Sequence, residues 1–539
     1  MKYIFVTGGV ISSVGKGLTA ASIGALLESR GYRVKLQKFD PYLNVDPGNM
    51  NPLQHGEVYV LKDGGETDLD LGHYERFTNT NLTRKNSLTS GQVYTTVLEK
   101  ERRGVYAGVT VQVIPHITDE IKNRIKENSN DCDVLISEIG GTTGDIEGLP
   151  YLEAIREFAL EQPFGSVIFI HVTLVPYISA MRELKTKPTQ HSVAKLREIG
   201  ITPNIIICRC EYPLNKELRK KISLFCNVPY EAVIEEKDVE HSIYELPLVL
   251  QREGLDPLIC KLLQLEQRTS DMTKWQNVVR SIIAPSSSIR IGLVGKNVGI
   301  NDAHKSLQEA LFHACIANDT RLEVVRIDPE ELETSGTQSL EKIDAILVPG
   351  ASGIREVEGK ILAAQYAREH RIPFLGICLG MQAVVIEYAR NVLGLNAAHS
   401  AEFNSATENP VIISLENTQS ADTQPSSSKQ RRQAMHLGAH DCTLKSGSKA
   451  RSIYDQEKIS ERHRNSYVFN NKYRELFEKE GNLLFSGLSS ADSLVELVEL
   501  KDHPFFMACQ FHPEFQSKPH SPHPLFKEFV AAALAAKRS

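Results

Sequence analysis

The sequence predicts two α/β domains in tandem, the first built on a parallel sheet with helices on both faces. Short β-rich runs alternate with helix-length segments through the first half of the chain. The pattern stops between about 267 and 288. It resumes at Ile289 with fresh alternation.

In the first half, Tyr3–Thr7 is a short apolar run that ends in glycine, as a buried strand does. Lys16–Ser29 has helical composition, and Val34–Phe39 reads as a second strand. Val134–Glu138, Val167–Val172 and Ile205–Cys210 are further β-rich runs. Sheets of this kind bind ligands at the carboxyl ends of their strands. Residues 267–288 are polar, hold the only tryptophan, Trp275, and include Pro285-Ser286-Ser287-Ser288, which predicts a linker. Beyond it, Ile291–Val294, Leu322–Ile327, Ala345–Val348 and Phe374–Ile377 read as strands. About 418–433 is rich in Ser, Gln and charge, which predicts a surface insertion with no part in a site. The expected domains are therefore 1–266 and 289–539.

Composition narrows the function classes. Of 539 residues, 41% are apolar and 24% charged, ordinary for a globular protein. A net charge of -6 argues against a protein built to coat nucleic acid. The opening residues are broken too early by Gly8 and Gly9 to form a signal peptide. No apolar run reaches the ~18 residues of a membrane span. Nine scattered cysteines, an odd count, fit reduced thiols in a cytoplasmic protein.

The second domain carries a thiol motif. Pro373-Phe374-Leu375-Gly376-Ile377-Cys378-Leu379-Gly380-Met381-Gln382 reads as a strand, then Gly-x-Cys-x-Gly, then a helix. This has the form of a nucleophile elbow with sulfur in place of oxygen. A helix N-terminus favours the thiolate form of a cysteine. Downstream lies Gln510-Phe511-His512-Pro513-Glu514. Pro513 biases His512 toward extended backbone, where His512 and Glu514 would share a face. His512 would then serve Cys378 as base and acid, oriented by Glu514. The loop Val348-Pro349-Gly350-Ala351-Ser352-Gly353 follows a strand, and its N–H groups could cradle an oxyanion.

The first domain carries a phosphate motif. Gly8-Gly9-Val10-Ile11-Ser12-Ser13-Val14-Gly15-Lys16-Gly17 lies between a strand and a helix, as a phosphate-binding loop requires. The loop is longer than the standard pattern, and Gly17 stands where a Mg²⁺-binding Ser or Thr would be. Carboxylates would then have to hold Mg²⁺, with Asp70 and Glu138 as candidates. Lys38 closes a strand, and Lys221 lies in a basic helix. Lys185-Thr186-Lys187-Pro188-Thr189-Gln190 groups cations and hydroxyls in a segment that Pro188 is expected to keep from being helical, suited to a second polyanion.

Gly-Ile-Cys-Leu-Gly-Met-Gln followed by His-Pro-Glu resembles the class I glutamine amidotransferase domain from about residue 289 onward. That resemblance implies glutamine hydrolysis through a thioester on Cys378. It also implies that Gly350, Ala351, Leu379, Gly380, Met381, Gln382 and Glu402 contact the glutamine. Two positions depart from the family. Ala351-Ser352 replaces Gly-Phe in the loop, and Ser466 replaces an arginine before Tyr467.

Across the first domain, Val45-Asp46-Pro47-Gly48, Gln54-His55-Gly56-Glu57-Val58, Leu69-Asp70-Leu71-Gly72-His73-Tyr74, Glu138-Ile139-Gly140-Gly141-Thr142 and Lys185–Gln190 resemble the synthase domain of the CTP synthase family. The resemblance implies ATP over Ser13, Val14, Gly15, Lys16, Gly17 and Leu18, with Lys38, Asp70, Lys237, Asp238 and Val239. It implies Mg²⁺ on Asp70 and Glu138. UTP or CTP would contact Ser12, Lys185, Thr186, Lys187, Pro188, Thr189, Gln190 and Lys221, with Asp145, Ile146 and Glu147 reading the pyrimidine. GTP as activator, CTP as inhibitor and a homotetramer are implied as well. Two other readings stay open on sequence alone. One is another ATP-dependent amidotransferase of the same domain order, such as the cobyrinic acid amidating enzymes. The other is a nucleotide-switched polymer or partitioning ATPase.

Overall fold

The computed structural model describes residues 1–50, 56–296, 304–350, 357–417, 435–491 and 493–538. The predicted insertion at 418–433, the loop from Ala351 to Gly353, and Gln54 and His55 lie outside them. Two compact units are present: Met1–Met50 with Thr67–Ile283, and Asn51–Glu66 with Ala284–Ser539.

The first unit is a seven-stranded sheet. From edge to edge it runs Val233–Lys237, Ile205–Cys210, Val167–Leu174, Lys2–Gly8, Val134–Ile139, Val34–Asp40 and Ser87–Thr89. Every pairing is parallel. Val134–Ile139 is buried at all its positions, as expected of a sheet covered on both faces. The five predicted strands and the Lys16–Ser29 helix are present. Ser87–Thr89 and Val233–Lys237 are additions at the two edges. Register sets the site: Glu138 pairs with Val6 on one side and Lys38 on the other, so acid and ammonium emerge together at the carboxyl end.

The expected linker is largely ordered structure. Thr273–Ile283 is a helix. Its Trp275 is 5% exposed and meets the rings of Phe77 at 5.2 Å and Tyr244 at 6.1 Å. Burial of an indole against two rings holds that helix to the first unit, a gain that polar composition does not display. Ser287 and Ser288 open the first strand of the second unit.

The second unit holds a nine-stranded sheet. Ser287–Val294, Thr320–Ile327, Ala345–Val348, Phe374–Ile377 and Phe506–Cys509 pair in parallel. Val495–Leu500, Leu483–Ser489, His436–Leu444 and Lys458–Asn465 continue it antiparallel. Alternation builds two cores: Ile346 and Val348 pack on one face, Ala345 and Leu347 on the other.

Residues 51–66 fall inside the expected first domain, 1–266. They belong instead to the second unit. Tyr59, Val60 and Leu61 are buried there. The Tyr59 hydroxyl donates to the Phe515 carbonyl at 2.8 Å, and Arg462 Nη1 donates to the Val60 carbonyl at 3.0 Å. Ala439 N–H donates to the Lys62 carbonyl at 2.9 Å.

Candidate functional site

In the second unit, Phe374–Ile377 ends at Cys378, which has φ 52° and ψ -104° and caps the Leu379–Asn391 helix. A non-glycine residue in that region is strained by roughly 1–3 kcal/mol and needs its surroundings to hold it. The Cys378 N–H donates to the Cys509 carbonyl at 2.7 Å, and the Cys378 carbonyl accepts from Met381 and Gln382. The flanking glycines admit the close approach this needs. A Cβ at Gly380 would lie 2.3 Å from the Val348 carbonyl oxygen, and one at Gly376 would lie 2.9 Å from the Gly380 backbone. All nine cysteines are free thiols, and Cys378 is the one that is not buried.

His512 Nδ1 meets Glu514 Oε1 at 2.7 Å. The two do not lie on an extended strand as expected. His512 caps a 3₁₀ turn, Pro513–Gln516, and the turn brings the carboxylate back to the ring. The His512 N–H is anchored on the Arg462 carbonyl at 2.7 Å, and its ring stacks on Phe515 at 5.4 Å. Burial alone would lower the pKa of His512. The Glu514 carboxylate and the nearby Cys378 sulfur outweigh it and push the imidazole up to about 10. Nε2 is buried and has no hydrogen-bond partner among the described residues. A Cβ on Gly350 would sit 2.9 Å from His512 Cε1 and 3.3 Å from Cys378 Cβ. Gly350, Cys378 and His512 therefore converge on one point. Ala351 lies outside the described residues.

Beside this point, Leu379, Met381 and Gln382 are buried in the first turn of the helix. Gln382 Nε2 donates to the Tyr467 carbonyl at 3.4 Å. Burial raises the pKa of Glu402, and burial and then the Glu402 charge raise that of Tyr467, so these two groups are neighbours. Ser466 uses its carbonyl to accept from the Leu415 N–H at 2.9 Å. Gln510 received no role from sequence, yet its Nε2 donates to Cys378 Sγ at 3.5 Å.

In the first unit, the loop after Lys2–Gly8 turns through positive φ at Val10, Ser13 and Gly15 before the helix begins. Lys16 Nζ donates to the Gly141 carbonyl at 2.7 Å. Burial lowers its pKa. Lys38 Nζ donates to Glu138 Oε1 at 2.9 Å and also to Asp70. Burial works against the Lys38 charge, but Asp70, Glu138 and Asp40 raise its pKa well above the usual value. Burial likewise opposes the Asp70 charge, and Lys38 overcomes it and lowers the Asp70 pKa. Asp40, buried beside them, is pushed up to about 6, chiefly by that burial. Gly17 has a steric reason: a Cβ there would lie 2.4 Å from Asp70 Oδ1 and 3.4 Å from Glu138 Oε2. The two carboxylates fill the space a Ser or Thr side chain would need.

Among the described residues, no cluster of three or more His, Cys, Asp or Glu could hold a metal by itself. Two carboxylates next to a phosphate loop fit Mg²⁺, which takes one or two from protein and the rest from phosphates and water. Arg209 ties the remaining ATP candidates to the loop. It donates to the Val14 carbonyl at 3.3 Å and to Asp238 Oδ1 at 2.9 Å. Lys237 ends the strand that delivers Asp238 and Val239.

Lys185, Thr186, Lys187 and Lys221 line a cavity of about 710 Å³ together with Arg182 and Tyr212. Pro188 does not keep this segment from being helical: Lys187–Glu198 is a helix with proline in its first turn, where the missing N–H costs nothing. Thr189 and Gln190 turn inward. The Thr189 hydroxyl donates to the Leu174 carbonyl, and Gln190 Nε2 donates to Thr186 Oγ1 at 3.0 Å. Ser12 and Asp145, Ile146 and Glu147 are not among the residues lining the cavity, and Ile146 is 82% exposed.

Residues 2–265 match the family model described as CTP synthase N-terminus, and 300–532 match glutamine amidotransferase class-I. A CTP synthase of Geobacter sulfurreducens is 55% identical over 538 residues, 99% of each chain. One from Caldanaerobacter subterraneus subsp. tengcongensis is 54% identical over 539 residues, again 99% of each. A solved glutaminase domain of Trypanosoma brucei CTPS with bound acivicin is 36% identical. It covers 46% of this chain and 94% of its own, with a TM-score of 0.42.

Proposed function

The chain belongs to the CTP synthase family, and from that premise we propose how its residues carry out the ATP-dependent amination of UTP with nitrogen from glutamine. The observation that carries the reading is the convergence of Cys378, His512 and Gly350, with Glu514 on the far side of the ring.

Cys378 Sγ attacks the side-chain carbonyl carbon of glutamine. The oxyanion lies against backbone N–H groups at Gly350 and Leu379; the latter, at the first helical position, has no acceptor within its helix. His512, protonated at neutral pH by its raised pKa, gives the Nε2 proton to the departing nitrogen. The C–N bond breaks, ammonia leaves, and a thioester remains on Cys378. Water then attacks the thioester, passes a proton to His512 and releases glutamate. Glu514 holds the ring throughout. Gln382, Met381 and Glu402 position the glutamine.

In the synthase half, oxygen on C4 of the uracil is a poor leaving group. Transfer of the γ-phosphoryl of ATP onto that oxygen makes it a good one and yields ADP. Ammonia attacks C4, phosphate departs, and CTP forms. The loop Ser13–Leu18 wraps the ATP phosphates, while Lys16 and Lys38 neutralise charge in the transfer. Asp70 and Glu138 would hold Mg²⁺, which supplies further neutralisation of phosphate charge when bound. Lys237, Asp238 and Val239 border the ATP. Lys185, Thr186, Lys187 and Lys221 take the UTP triphosphate, supported by their shared cavity. Asp145, Ile146 and Glu147 read the pyrimidine of CTP. Membership of the family supports a homotetramer as well. GTP activates glutamine hydrolysis and CTP inhibits at the UTP site. Nine free thiols support a cytoplasmic setting.

The test is direct: supply UTP, ATP, Mg²⁺ and glutamine, and follow CTP. CTP in step with ADP and glutamate is expected. Glutamate release without CTP under saturating ATP would overturn the assignment.

A further inference from the structure

Gln510 follows the Phe506–Cys509 strand and is fully buried. Its backbone N–H is held by the Glu496 carbonyl at 2.8 Å. The neighbouring Cys509 carbonyl fixes the Cys378 N–H at 2.7 Å. Two consecutive residues, the last of the strand and the one after it, therefore grip the cysteine, one by its backbone and the other by its sulfur, where Gln510 Nε2 stands 3.5 Å from Sγ. Among the described residues Gln510 Oε1 is buried with no hydrogen-bond partner, and leaving an acceptor dry costs stability. An apolar side chain of the same length would fill the space without that cost. What it would lack is the N–H on the sulfur.

We propose that Gln510 is a catalytic residue whose carboxamide N–H holds the negative charge of the Cys378 thiolate, opposite the His512 imidazolium. A thiolate only accepts hydrogen bonds, and a donor aimed at the charged form favours that form. The same N–H holds Sγ in place for attack on the glutamine carbonyl and receives the sulfur's charge again each time the thioester is hydrolysed. This rests on the assignment of Cys378 as the nucleophile.

The experiment compares the full chain with Gln510→Met, close in size but without the donor, and Gln510→Glu, which puts an acceptor beside the sulfur. Alkylation of Cys378 by iodoacetamide is followed from pH 5 to pH 10 by mass spectrometry of its peptide, together with glutamine hydrolysis. Synthesis from added ammonia reports that each variant is folded. In Gln510→Met, alkylation at pH 7 is expected to slow about tenfold, with its midpoint about one pH unit higher. The kcat for glutamine hydrolysis should fall in parallel while KM for glutamine holds, and Gln510→Glu should show a larger shift. An unmoved alkylation profile in either folded variant would overturn the proposal and leave Gln510 a packing residue. Glutamine-dependent synthesis surviving Cys378→Ala would instead overturn the nucleophile itself, so the two failures are distinct.

Discussion

The α-carbon of Gly17 faces the Asp70 carboxylate so closely that a Cβ would stand 2.4 Å from Oδ1. The residue that first marks this glycine-rich loop as unusual is thus one its neighbour requires. Gly17→Ser, which restores the standard pattern on paper, is expected to displace Asp70. A misplacement of about 1 Å costs on the order of 10² in rate. CTP formation should fall by that factor with glutamine and with ammonia alike, while glutamine hydrolysis without nucleotide continues. Steady-state rates with each nitrogen donor check this.

Tyr59 is predicted to support the thiol site although it lies far from it in sequence. Its hydroxyl donates to the carbonyl of Phe515, whose ring stacks on His512, and accepts from Arg462 at 3.2 Å. Tyr59→Phe leaves the buried Phe515 carbonyl without that donor, at a cost of about 1–3 kcal/mol. Thermal unfolding should register the loss, and glutamine hydrolysis should fall more than synthesis from ammonia.

The His512–Glu514 pair gives a pH prediction with a definite sign. The folded imidazole is raised to about 10 from 6.5, burial notwithstanding, by Glu514 and the Cys378 sulfur. A raised pKa contributes stability that is fully present below about 6.5 and is lost as pH rises through about 10. Glu514→Gln should therefore lower the unfolding midpoint at pH 6 and at pH 7. The gap between variant and parent should close by pH 10.5. A gap that stays constant with pH would contradict the charged pair.

Much of this was legible in local sequence. Five strands and the Lys16–Ser29 helix of the first unit announce themselves because buried parallel strands are short unbroken apolar runs. The elbow at Cys378 was legible because its glycines have a local steric purpose. What escaped was decided by distant partners. Residues 56–66 read as continuous with the first domain, yet Tyr59 and Val60 find their hydrogen bonds at Arg462 and Phe515. Trp275 looked like part of a linker because its burial depends on Phe77 and Tyr244. Pro188 reads locally as a helix breaker, but one position into a helix it is harmless. Gln510 carries no local signal, since its partner lies 132 residues away.

Glutamine-dependent and ammonia-dependent CTP formation by Cys378→Ala, assayed side by side on the same preparation, put the two-site account at greatest risk. The account predicts that the glutamine-dependent rate disappears while the ammonia-dependent rate stays within about twofold of the parent, since phosphoryl transfer needs no thiol. Equal loss of both rates, or survival of the glutamine-dependent rate, would contradict it.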